Sequence, residues 1–131
     1  MYRLLFLLSA IVLGTVTAGA AEPAVHHHKV VVFFQSWSAD IDEAAQLAVD
    51  DAVAWMKEHP RDTVHVTGFA STVGGKRANM LLADLRAQVV ADRLVARGVA
   101  ADRLHLAGRG ATHFVENPLE SRRVEVSLDG H

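Results

Sequence analysis

The chain of 131 residues contains no cysteine. That excludes a disulfide staple, a thiolate metal site and the acylated cysteine that anchors bacterial lipoproteins. A basic surplus is also missing, with 13 Lys and Arg against 15 Asp and Glu. Nucleic-acid binders usually carry a clustered basic excess, so no nucleic-acid partner is expected. The sequence has no internal repeat and no low-complexity stretch. What remains is the organisation that this length suggests, one domain and a short appendage.

The appendage is the N-terminus. Arg3 precedes an apolar run from Leu4 to Val16, and small residues at Ala18 and Ala20 follow. A basic start, an apolar centre and an A-x-A ending describe a secretory signal peptide cut after Ala20. The competing reading is a retained anchor. Counted from Leu4 to Ala21, the stretch reaches ~18 residues, the lower limit for a membrane span. The small residues and the absence of a second basic flank favour cleavage. The expected divisions are a signal peptide over 1–20, a polar leader over 21–29 and a single domain over 30–129. A mature chain of ~111 residues can bury somewhat over ~60% of its unfolded surface.

Along that domain, Val30–Phe34 is β-branched and aromatic and predicts a buried strand. Gln35–Asp40 reads as a loop. Asp40 or Asp42 can cap a helix in which Ile41, Ala45, Ala48, Ala52 and Trp55 recur at helical spacing, until Pro60 stops it. Asp62–Ala70 alternates as a strand, with His65 and Thr67 on its second face. Lys76–Arg97 holds no Gly or Pro and predicts a long helix closed by Gly98. Its apolar residues form two neighbouring series, Leu82, Leu85 and Val89 beside Ala83, Ala87, Val90 and Leu94. Asp102–Gly108 and Arg122–Leu128 predict two further strands. The order is βαβαββ, with the helices covering one face of a small sheet.

Between the second strand and the long helix stands "GFASTVGGKRAN", Gly68 to Asn79. It looks like a phosphate loop. A P-loop needs G-x-x-x-x-G-K-[ST]. With Gly75-Lys76 as the G-K pair, the first glycine falls on Ala70 and the Mg²⁺-binding hydroxyl on Arg77. Both positions fail, and no nucleotide is expected. The glycines serve to turn the chain from strand into helix.

Four stretches together resemble the OmpA-like C-terminal domain family, the peptidoglycan-binding module of Gram-negative cell envelopes. "VVFFQSWSADIDEAAQ" is similar to the family's first strand, loop and helix start. "VHVTGFASTVGG" stands where the family has V-x-V-x-G-H-T-D-x-x-G. "NMLLADLRAQVVADRLVARGVAADRL" is similar to N-x-x-L-S-x-x-R-A-x-x-V and the G-[IV]-x-x-x-[RK]-[IL] element that follows it. "SRRVEV" stands on the closing N-R-R-V-E-[IV]. The resemblance runs from Val30 to Leu128. It implies an α+β, two-layer βαβαββ sandwich, a small mixed sheet covered by two helices. It also implies a periplasmic protein, outer-membrane or wall associated, without enzymatic activity or cofactor.

The resemblance further implies a site for meso-diaminopimelate, a zwitterion whose ammonium and carboxylate lie close together. Arg86 matches the family arginine, and its planar fork suits a carboxylate. Asn79, two helical turns earlier, lies on the same side and is implied to fix the loop after the second strand. Ser71 stands where the family has the acid that holds the ammonium. Ala83 and Ser121 also depart from the pattern, in place of a serine and an asparagine. Arg122 and Arg123 fall on opposite faces by alternation, one for the site and one for solvent. Asp40 or Asp42 could supply the missing negative charge, whereas Asp84 points elsewhere on the helix.

Each residue also has a plainer reading. Arg86 could be an ion-paired helix arginine, Asn79 structural and Ser71 a turn residue. Phe69, in place of a family histidine, is expected to pack. Trp37 is open to two readings, stacking on sugar or covering the core edge, and Trp55 is expected in the core. His26, His27 and His28 could ligate a metal, but a polar leader is the simpler reading, and no metal site is expected. Ser71 with His65 or His105 shows no nucleophile elbow and no organised acid, so no catalytic residue is expected. Two functions remain, non-covalent peptidoglycan binding and a degenerate module that binds other envelope proteins. On export, N-terminal sequencing of periplasmic material should return a chain beginning at Ala21. A membrane fraction still carrying Met1 would show retention instead.

Overall fold

In the computed structural model, residue 19, residues 26–111 and residues 121–130 are described. The expected signal segment lies outside these residues except for Gly19. Strand β1 spans His27–Phe33 and helix α1 Glu43–Glu58. Strand β2 spans Thr63–Ala70 and helix α2 Lys76–Ala96. A 3-10 turn at Ala101–Arg103 leads into β3, Leu104–Ala111, and β4 spans Arg123–Asp129. The sheet order is β1-β4-β2-β3. β4 runs antiparallel to both its neighbours, while β2 and β3 are parallel. This is the α+β, mixed-sheet architecture that the family resemblance implies.

Alternation decides which face is covered. Val30, Val32, Val64, Val66, Val124, Val126 and Leu128 are buried and point towards the helices. From α1, Ala45, Val49, Ala52, Val53 and Met56 meet them. Asp42 rather than Asp40 caps this helix, its Oδ1 accepting from the Ala45 N–H at 2.8 Å. The C-terminus of α2 closes as predicted. Gly98 takes φ +98°, and the Val99 N–H donates to Leu94 O at 3.1 Å, satisfying an end carbonyl in a Schellman arrangement.

Two expectations are corrected. The polar leader ends earlier than position 29, because His27, His28 and Lys29 belong to β1 and pair with Asp129, Leu128 and Ser127. The three histidines diverge to separate partners. His27 Nδ1 lies 2.9 Å from Asp129 Oδ1, His28 stacks on Trp55 at 4.1 Å and His26 lies 6.2 Å from His59. Among the described residues, no group of three His, Cys, Asp or Glu is arranged to hold a metal ion. Trp55 is half-buried against the core and stacks on His59 as well, at 4.2 Å.

The second correction concerns α2. Of its two apolar series, Ala83, Ala87, Val90 and Leu94 are buried, whereas Leu85 is 52% exposed. The reason is distance. The helix lies so close to β2 and β3 that a Cβ at Gly68 would collide with the Ala83 carbonyl, and one at Gly108 with the Asp84 carboxylate. Only small side chains fit that seam, so Ala83 and Ala87 occupy it while Leu85 is turned outward. Gly68→Ala should therefore lower the unfolding free energy by about 1–3 kcal/mol, because the obstructing atom is backbone. Urea denaturation measures this, and an unchanged midpoint would show that the seam can widen freely.

Candidate functional site

Three segments meet where β1 and β2 end and β4 begins. They are the loop after β1, the turn after β2 and the first half of α2. Between them lies a cavity of about 170 Å³. Ser71, Asn79, Arg86 and Arg122, all four predicted site residues, line it together. Ser36, Trp37, Val73 and Leu82 complete the lining. Of these Trp37 carried a signal in the sequence as an aromatic residue in a polar loop, and Leu82 as the leucine of the N-x-x-L pattern, whereas Ser36 and Val73 carried none.

Arg86 is fully buried. Its Nε donates to Ser38 O at 2.8 Å, Nη1 to Phe69 O at 3.1 Å and Nη2 to Gln35 O at 3.0 Å. Its Cζ lies 5.4 Å from the centroid of the Phe34 ring. One cation thus ties the loop after β1 to the end of β2. A guanidinium has five N–H donors, so two remain beyond these three bonds. Burial first, and the positive charge of Arg122 second, pull the Arg86 pKa down to about 10. It is still a cation at neutral pH. The folded value lies below the unfolded one, so carrying this charge burdens the native state below pH ~10, and the burden lifts as pH rises further. A bound anion would relieve it at neutral pH.

The loop after β1 is shaped to meet that cation. Trp37 has φ 53°, the left-handed region that a bulky residue rarely occupies. The bend brings Gln35 O and Ser38 O to the same guanidinium. The indole leans on the next turn, where a Cβ at Gly74 would come within 2.9 Å of it. Trp37 itself is 60% exposed, and thus covers the cavity edge rather than the core.

Asn79 is 1% exposed. Its Nδ2 donates to Val73 O at 2.9 Å and Gly75 O at 3.1 Å. It fixes the turn after β2, as the resemblance implies. Those two carbonyl partners also set the orientation of the amide, and its buried Oδ1 is left without a partner among the described residues. Ser71 Oγ accepts from the Val73 N–H at 3.0 Å, so this residue both forms the turn and lines the cavity.

Arg122 is the site arginine of the pair, its Nε donating to Phe34 O at 3.3 Å. The expectation that its neighbour faces solvent is corrected. Arg123 lies 3.9 Å over the Phe69 ring, its Nε 3.1 Å from Glu125 Oε1. Phe69 packs, at 7% exposure. The expected substitutes for the family acid do not reach the site. Asp42 is occupied at the α1 cap, and Asp40 is exposed and outside the lining. Asp84 faces Gly108, away from the cavity. Among the described residues the lining holds two cations and no carboxylate.

The depth of Arg86 changes what its removal does. Arg86→Ala removes three bonds to carbonyl oxygens, of which Gln35 O keeps the Ser38 N–H at 3.2 Å, and hydrogen bonds to a charged group contribute about 1.5–3 kcal/mol each. The substitution should cost about 3 kcal/mol or more of stability, read from the urea midpoint. Arg122→Gln loses one long bond and should cost about 1 kcal/mol. Equal stability losses for the two variants would contradict the central position of Arg86.

Comparison with known proteins adds to this geometry. The chain is 33% identical over 103 residues to the probable lipoprotein YiaD of Escherichia coli, covering 74% of this chain and 47% of that protein. It is 31% identical over 98 residues to the peptidoglycan-associated lipoprotein of Rhizobium meliloti, covering 71% and 56%. The chain thus spans about half the length of these curated relatives. A solved cell wall anchor from Pseudomonas aeruginosa superposes with a TM-score of 0.65 at 26% identity, covering 82% of this chain and 87% of that one. The profile of the OmpA family matches residues 33–125, from the end of β1 into β4, and the chain belongs to that family.

Proposed function

We propose that this protein binds peptidoglycan non-covalently in the periplasm of a Gram-negative envelope, through the diaminopimelate of the stem peptide. The observation that carries the reading is the pair Arg86 and Arg122 on one cavity, with no carboxylate among its described lining residues. Two guanidinium groups held near each other by the backbone repel, and an anionic ligand offsets that repulsion. A carboxylate matches the guanidinium fork, and the free carboxylate of diaminopimelate is the chemistry that peptidoglycan of this type offers. The names of the relatives support a wall ligand and an envelope location, and the A-x-A leader is consistent with export. The activity is binding. Arg86 and Arg122 hold the carboxylate, Ser71 receives the neighbouring nitrogen, and Asn79 keeps the turn in place.

One observation favours a second reading, in which the fold serves only to bind other envelope proteins. Ser71 cannot pair an ammonium charge as the family acid does. Co-sedimentation with purified diaminopimelate-type peptidoglycan separates the two. Wild type should pellet with the wall. Arg122→Gln should weaken that about tenfold, since a charge-assisted bond is roughly twice as strong as a neutral one. A wild-type protein that stays in the supernatant would favour the interaction module.

A further inference from the structure

The charge pattern of the cavity says which form of diaminopimelate it takes, given the wall-binding reading on which this inference rests. The free end of that residue in a stem peptide carries a carboxylate and an amine on one carbon. When two stems are joined, that amine is acylated and the carboxylate is left unchanged. The free form therefore presents an ammonium, and the cross-linked form an uncharged amide N–H. A site with a carboxylate opposite the nitrogen selects the ammonium, because an unpaired anion beside an amide is penalised. A site with neutral acceptors has no such penalty.

This cavity has neutral acceptors. Ser71 lines it, and among the described residues its Oγ accepts the Val73 N–H. Asn79, 1% exposed, lines it and holds a buried Oδ1 with no partner among the described residues. A hydroxyl and an amide oxygen each accept from an N–H whether or not the nitrogen is charged. Arg86 and Arg122 stand ready for the carboxylate, which both forms keep. At the mouth, Trp37 is 60% exposed and Val73 72%. Both line the cavity, and they give an acyl group an apolar surface to lie against. We infer that the site accepts cross-linked diaminopimelate as well as the free residue, reading the carboxylate and an N–H rather than the zwitterion.

Calorimetry with three defined muropeptides tests this. They are the disaccharide tetrapeptide with diaminopimelate, the same molecule acetylated on the free amine, and the same molecule with lysine in place of diaminopimelate. Wild type should bind the first two within about fivefold of each other, and the lysine form at least about tenfold more weakly, because a charge-assisted pair is lost. Ser71→Asp keeps an acceptor for the Val73 N–H and adds the charge. It should prefer the free amine over the acetylated form by about tenfold or more, since an amide cannot answer a buried carboxylate. If acetylation costs wild type more than about fivefold, the ammonium is required, and this inference falls while wall binding stands. Equal binding of the lysine form, or no preference in Ser71→Asp, also overturns it. If wild type binds neither diaminopimelate form, the wall-binding reading fails and takes this one with it.

Discussion

Three carbonyl oxygens from two separate segments of chain converge on the guanidinium of Arg86. A buried backbone carbonyl must find a donor, and a loop end rarely has enough of them. The arginine supplies all three from one side chain in one plane. The loop after β1 is thereby closed against the end of β2, with the left-handed Trp37 at its bend. Much of the cavity is a by-product of that closure. Its walls are largely the segments that Arg86 ties together, and its charge is shared between this guanidinium and that of Arg122. On the proposed reading, binding and folding would draw on the same group, and removing Arg86 alone would disturb both.

The position of that group depends in turn on how closely α2 approaches the sheet. Gly68 and Gly108 leave space for the helix backbone and for Asp84, and Ala83 and Ala87 continue the seam. Periodicity in the sequence predicts the helix and both of its apolar series. It does not say which series turns inward. Leucine is the larger apolar residue, yet the deciding quantity is the gap between helix and strand, set by a glycine on another element. That is a tertiary fact, and residue types on the helix alone do not hold it.

The site shows a similar division. Arg86, Asn79, Ser71 and Arg122 are legible because four short patterns occur in order, and the fold does bring the four together. The load that Arg86 carries is not legible, because carbonyl partners leave no mark in a sequence. Nor is the isolation of the carboxylates. Asp42 is near in sequence but serves as a helix cap, and only the capping bond settles that. The histidine run misleads for a related reason. Consecutive residues of a strand point in alternate directions, so His27 and His28 part company as soon as β1 extends to include them.

The course of β1 has a mechanical consequence. The strand begins at His27, beside Asp129, and ends at Phe33, where the chain enters the cavity wall. Any load passed between the chain preceding His26 and a ligand in the cavity would run along the axis of this strand, over roughly 20 Å at the usual rise per residue. Its register with β4 would then be stressed in shear. All seven residue pairs, from His27–Asp129 to Phe33–Arg123, would have to yield together rather than peel apart in turn. The stack of His28 on Trp55 and Trp55 on His59 braces the loaded end against α1. A thin edge strand can in this way serve as a tension member.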